Sequence, residues 1–222
     1  MVRICAALAW ADETPEFLTR CVRSLEGVVD ELMACDGAWN LYEGEAFSGP
    51  EQEEAIWDAA RSVGIESRVF VPHGIWESQV AKRATLMEMA GQHADWVFVI
   101  DADEYVVYSE PETIRRALAD TEALCAFVAW KNLNRGEQHM PGTNPKSGLN
   151  HRLFRAGTTV RTVHSGYFYE GCNVLIECES LDLRHCLAVE HDNINRGAER
   201  NERARSYRRL RHTTGVETWV KV

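Results

Sequence analysis

A chain of 222 residues with 45% hydrophobic content is long enough to bury a substantial core as one domain. Its 24 Lys and Arg against 34 Asp and Glu give a net charge of −10, which excludes a protein that coats nucleic acid through general basicity. The seven cysteines read as reduced, packed thiols, the first residues enter a strand rather than a signal peptide, and no stretch approaches the roughly eighteen apolar residues of a membrane span, so a cytoplasmic location is expected.

Residues 3–9 read as a first strand, and Thr14-Pro15 supplies a cap and a first-turn proline for a helix whose apolar face is Phe17, Leu18, Cys21, Val22 and Leu25. Residues 28–35 read as a second strand ending at Asp36-Gly37. Pro50 opens a helix that Gly64 stops, and residues 68–71 return as a strand. A third helix, about residues 77–90, leads into the apolar run 96–100. This alternation implies an α/β fold, a parallel sheet wound with helices on both faces, with ligands held at the carboxyl ends of the strands.

Beyond Asp103 the pattern loosens into a short helix at 111–119, a strand at 124–130 and an irregular stretch from 132 to 150. Short strands are expected at 151–154, 159–163, 174–177 and 186–190. A basic helix then closes the chain, with Arg196, Arg200, Arg203, Arg205, Arg208, Arg209 and Arg211 against only Glu199 and Glu202. Such a surplus suits a pyrophosphate, a DNA backbone or a peripheral contact with an anionic membrane surface.

The most informative motif is Asp101-Ala102-Asp103-Glu104, directly after the run 96–100. Side chains two apart on an extended strand point the same way, so Asp101 and Asp103 are expected to present paired carboxylates to one hard cation where the strand meets solvent. A divalent ion that also held a diphosphate would neutralise the charge on a departing nucleoside diphosphate. The plainer alternative is an acidic turn that caps a helix or faces water. Acids also follow the first strand (Asp12, Glu13) and the second (Asp36), although Asp36 before Gly37 is a good turn pair in its own right. His191 and His164 follow apolar strand residues, where a histidine is more often hydrogen-bonded structure than a ligand. Cys172, Cys178, His185 and Cys186 lack the paired spacing of a zinc site.

Three segments resemble the GT-A-fold glycosyltransferases, particularly the family 2 group that uses nucleotide-diphosphate sugars. They are CAALAWADETPEFLTRCVRSL, VVDELMACDGAW and, most closely, SQVAKRATLMEMAGQHADWVFVIDADEYV. The later segments HRLFRAG, RTVHSGY and AVEH are similar to the family's downstream strands. The resemblance implies a GT-A, Rossmann-like fold for residues 1–222: a mostly parallel central sheet flanked by helices, a nucleotide-sugar half at about 1–104, and a smaller acceptor-side half at about 105–222 that ends in the basic helix. It implies Mn²⁺ or Mg²⁺ held by Asp103, with Asp101 and His191 as further metal-side groups. Asp12, Asp36, Lys82, Arg83, Asp101 and Arg196 become donor contacts, the donor most simply a UDP-sugar.

An inverting member needs a carboxylate base for the acceptor hydroxyl. Glu137, Glu170 and Asp192 are the candidates, with Asp101 as the sugar-side acid, and where relatives carry His followed by Glu this chain has His164-Ser165. The expected activity is metal-dependent transfer of a sugar to a glycan, a lipid-linked sugar or a hydroxylated DNA base. Two other readings stand beside it: a metal-dependent nucleic-acid phosphodiesterase and a non-catalytic nucleotide-sugar-binding protein.

Overall fold

The apolar run Ile4–Ala9 forms β1 at the centre of the sheet, where it is covered on both faces. Its even residues Ile4, Ala6 and Leu8 join one core cluster, and its odd residues Cys5 and Ala7 join another. An unbroken apolar strand instead of an alternating one is the signature of a parallel strand buried on both sides. Parallel neighbours flank it, β2 (Glu31–Cys35) on one side and β4 (Trp96–Asp101) on the other, and β3 (Glu66–Phe70) extends the parallel set beyond β2. The computed structural model describes residues 1–40, 46–134, 137–139, 150–163, 180–192, 195 and 217–221.

Helix α1 (Pro15–Arg23) starts as expected, with the Thr14 hydroxyl accepting from the Phe17 N–H at 3.4 Å and Pro15 in the first turn. Helices α1, α2 (Pro50–Ser62) and α4 (Pro111–Asp120) pack on the face lined by Ile4, Leu8, Trp96, Phe98 and Ile100. Helix α3 (Gln79–Gly91) covers the other face with Leu86, Met87 and Ala90 against Val97 and Val99. Doubly wound packing thus holds for the first half of the chain.

The second half departs from a purely parallel plan. β8 (Asn150–Arg155) lies antiparallel between β4 and β6 (Cys125–Asn134), and β11 (Leu187–His191) runs parallel to β6. β5 (Glu104–Ser109) closes the order β3-β2-β1-β4-β8-β6-β11-β5, with β7 (Glu137–His139) and β10 (Ser180–Asp182) paired to β6. β9 (Thr159–Val163) and β12 (Glu217–Lys221) make a separate antiparallel pair beside α3.

Two sequence expectations are corrected and one strand is new. β2 starts at Glu31 rather than at residue 28, because Gly27, at φ 72°, closes a turn that carries the buried Val28 and Val29 into the core before pairing begins. β5 had no expectation at all, since its first residue belongs to the acidic block that reads as a turn. The stretch from 132 onward is not wholly irregular: β6 runs to Asn134 and pairs with β7, so cross-strand pairing overrides the poor strand preference of asparagine. The strand expected at 174–177, the helix expected over the basic residues 196–211, Glu170 and Arg196 lie outside the described residues, and Glu217–Lys221 is a strand. Among the described residues, no helix is long and apolar enough to cross a membrane.

Candidate active site at the strand ends

Strand parity decides where the acids of the motif go. Along β4 the odd residues Val97 and Val99 face α3, and Asp101 continues that register. Its carboxylate accepts from the guanidinium of Arg83 on α3. The chain turns after Asp101, so Asp103 does not stand on the same extended strand, contrary to the sequence expectation. Asp103 is reached from β11 instead, where His191 shares the register of Leu187 and Val189 on the α1 face. His191 Nε2 lies 2.9 Å from Asp103 Oδ2, and both groups are buried. Burial opposes the imidazolium, but the charge and hydrogen bond of Asp103, helped by Glu104 and Asp101, hold the His191 pKa above its ordinary value.

Glu104 lies beneath the turn, fully buried. It accepts from the Asp101 backbone N–H at 3.0 Å, from the Trp130 indole at 2.9 Å and from the Arg152 guanidinium. Burial raises its pKa, Arg152 pulls the other way, and Asp101 and Asp103 add to the rise. The Trp130 ring in turn packs on His191, with centroids 5.2 Å apart. Behind the turn the Cys21 thiol is pushed well above its ordinary pKa by burial and then by Glu104, Asp103, Asp101 and Glu13. Two of those carboxylates already face a guanidinium, Asp101 that of Arg83 and Glu104 that of Arg152.

The nucleotide side, as the sequence placed it, is built from the loops after β1 and β2. Lys82 is completely buried and donates to the Trp10 carbonyl and, at 2.7 Å, to the Gly37 carbonyl. Burial lowers its pKa from 10.5 to about 8. Lys82 therefore ties two loops together instead of facing solvent, and of the Lys-Arg pair only Arg83 meets an acid of the motif. The Asp36 carboxylate is buried and accepts from Ser48, from its N–H at 2.8 Å and its hydroxyl at 2.7 Å, while the Asp36 carbonyl accepts from the Trp76 indole at 3.0 Å. Asp12 has a positive φ of 53°, a conformation Asp tolerates better than most side chains.

Among the base candidates, Asp192 is buried and engaged: Arg20 Nη1 lies 3.0 Å from Oδ2, and the Asn195 side chain donates to both oxygens. Glu137 opens β7, and Glu170 is not among the described residues. Sequence reasoning missed Arg20, Tyr105, Trp130 and Arg152. Trp130 stands in a strand with no motif around it, Arg152 lies in the HRLFRAG segment whose resemblance singled out no residue, and Arg20 reaches Asp192 across 172 residues of chain, a pairing that no local pattern signals.

No protein-family profile matches the chain. It is 27% identical over 161 residues to a TPR repeat-containing protein of Synechococcus elongatus, an alignment that spans 72% of this chain and 34% of that protein. Among solved structures it is similar to GalNAc-T7 with UDP, GalNAc and Mn²⁺, at TM-score 0.56 and 13% identity over 86% of this chain and 44% of the other. It is also similar to S. aureus TarS in complex with UDP-GlcNAc, at TM-score 0.45 and 14% identity over 63% and 37%. The chain thus spans about a third of the first relative and under half of these solved chains. The GalNAc-T7 likeness is one of fold: the curled, mostly parallel sheet with flanking helices is GT-A-like, as the sequence resemblance implied.

Proposed function

We propose that this chain is the donor-binding and transfer module of a metal-dependent, nucleotide-sugar glycosyltransferase. The observation that carries the reading is the buried Asp103–His191 pair at 2.9 Å, set beside the Arg83-held Asp101 at the carboxyl ends of the strands. The GT-A-like fold supports it, because the similar GalNAc-T7 chain was solved with UDP, GalNAc and Mn²⁺.

The residues fit a divalent ion. Asp103 Oδ2 and His191 Nε2 offer one hard and one intermediate donor, a mixture that suits Mn²⁺ better than Ca²⁺. Among the described residues no group of three or more His, Cys, Asp or Glu is placed to hold an ion, so an ion on this pair would need its remaining positions filled by phosphate oxygens and water. Bound there, the ion would supply Lewis-acid stabilisation of the leaving nucleoside diphosphate.

The protein's own groups do the positioning. Arg83 fixes the Asp101 carboxylate toward the donor sugar hydroxyls, and Glu104 fixes the turn through the Asp101 N–H. Asp12 and Asp36 stand at the ends of β1 and β2, where base and ribose would lie, and Arg196 is assigned to the diphosphate. The donor is a UDP-sugar and the acceptor an oxygen of a glycan, a lipid-linked sugar or a modified DNA base. Binding without turnover is the second reading, favoured by the engagement of Asp192 with Arg20 and Asn195. Calorimetry with UDP, GDP and ADP, with and without Mn²⁺, followed by release of UDP from UDP-sugars, tests both. Tight Mn²⁺-dependent UDP binding is expected. Absence of binding by any nucleoside diphosphate would sink the proposal, and binding without UDP release would favour the second reading.

A further inference from the structure

Glu190 and His191 at the end of β11 and Asp192 just after it are each anchored, and one cation serves two of the three anchors. Glu190 accepts from the Tyr105 hydroxyl of β5, His191 meets Asp103, and Asp192 meets Arg20 of α1. The Asp192 N–H also donates to the Asp103 carbonyl at 2.8 Å, so the backbone beside His191 is tied to the acidic turn. Arg20 touches two of these anchors: its guanidinium carbon sits 3.5 Å from the centroid of the Tyr105 ring while Nη1 reaches Asp192 at 3.0 Å. One planar cation stacked on a ring and paired at its edge fixes both flanks of His191 at once.

We infer that Arg20 is a positioning residue for the Asp103–His191 pair: it clamps the end of β11 against β5 and the acidic turn, and so sets the direction of the imidazole. The functional consequence rests on the reading of that pair as a divalent-cation site. The geometry itself does not. Groups that orient a metal-binding histidine typically alter metal affinity by roughly 10- to 100-fold. The Arg20 side chain is 47% exposed, so removing it leaves no buried cavity and the fold should survive.

The test uses protein labelled with isotopic histidine, with the His191 ring signal assigned through His191→Gln. In the metal-free parent this signal should be sharp and displaced by the Trp130 ring current, since the rings lie 5.2 Å apart. Arg20→Gln should move it toward the shift of a solvent-exposed histidine and broaden it. Arg20→Lys, which keeps the charge opposite Asp192 but loses the planar stack, should restore part of the displacement. Arg23→Gln, an exposed neighbour in the same helix, should leave it in place. An unmoved His191 signal in Arg20→Gln overturns the inference whatever the protein binds. Titration with Mn²⁺ alone then examines the functional layer, where Arg20→Gln should need roughly ten-fold more Mn²⁺ to broaden the His191 signal. Parent protein whose His191 signal ignores Mn²⁺ refutes the metal-site reading while the first comparison still decides the role of Arg20. Equal Mn²⁺ affinity in parent and Arg20→Gln refutes the link between position and binding.

Discussion

Asp103 and Asp36 show how the same residue type separates by its partners. Asp103 is buried opposite an imidazole, an arrangement in which a cation can replace the proton shared with His191. Asp103→Ala is therefore expected to abolish Mn²⁺-dependent UDP binding while thermal unfolding stays cooperative, because the residue lies in a turn rather than within a strand. Calorimetry on the folded variant checks this, and unchanged affinity would remove Asp103 from the site. Asp36 accepts both donors of Ser48, so its first duty is to hold the loop that follows β2. Asp36→Ala should cost about 1–3 kcal/mol of stability, the usual penalty for losing the acceptor of two half-buried donors, whether or not nucleotide is present. Urea denaturation measures it, and a loss below the detection limit would argue that Asp36 is kept for ligand alone.

At the scale of elements, α3 serves the site most directly, since it carries Lys82 and Arg83 one after the other. Its first turn depends on the Ser78 hydroxyl, which accepts from the Ala81 N–H at 3.0 Å. Ser78→Ala should cost roughly 1 kcal/mol through loss of that cap, and fraying four residues before Lys82 should also loosen the Trp10 and Gly37 loops. Hydrogen exchange that speeds up at the loops after β1 and β2, but not within β4, would confirm the link; uniform change along the sheet would refute it. The elements of the first half of the chain were legible in the sequence for physical reasons. Continuous apolar runs such as 96–100, caps such as Thr14-Pro15 and the stop at Gly64 are local signals. What stayed hidden was pairing between distant segments: β5 in the lee of an acidic block, β7 folded back on β6, and β8 inserted antiparallel beside β4. The site divides the same way. Asp101, Asp103 and Arg83 come from one contiguous segment and were readable together, whereas Arg20, Trp130 and Arg152 converge only through the fold.

Over the whole molecule, buried ionisable groups give stability a definite pH profile. Burial raises the thiols of Cys5 and Cys35 to about 12, and that of Cys21 rises as well. A raised thiol contributes stability that is fully present below the unfolded value of 9.0 and is lost as pH climbs toward 12. Lys82 runs the other way: its depressed value means a contribution present above 10.5 and lost as pH falls through about 8. Between these limits each thiol opposes the lysine by about 1.4 kcal/mol per pH unit, and the thiols outnumber it. Between pH 9.0 and 10.5, where the lysine still offsets one thiol, stability should therefore fall by roughly 1–3 kcal/mol per unit. Urea midpoints at several alkaline pH values provide the check. In Cys5→Ala the slope should be shallower by about one thiol's share, and an identical slope would remove Cys5 from the account.

The two carbonyls that hold Lys82 have a chemical corollary. An amine reagent attacks only a free, uncharged nitrogen, and in the closed protein this one is both hydrogen-bonded and sealed from solvent. Acylation of Lys82, followed by peptide mass spectrometry, would thus clock the separation of the loops after β1 and β2. A nucleotide that held those loops shut, as the proposed function requires, would slow the labelling without altering the intrinsic reactivity of the amine, so the residue serves as a built-in reporter of the loops after β1 and β2.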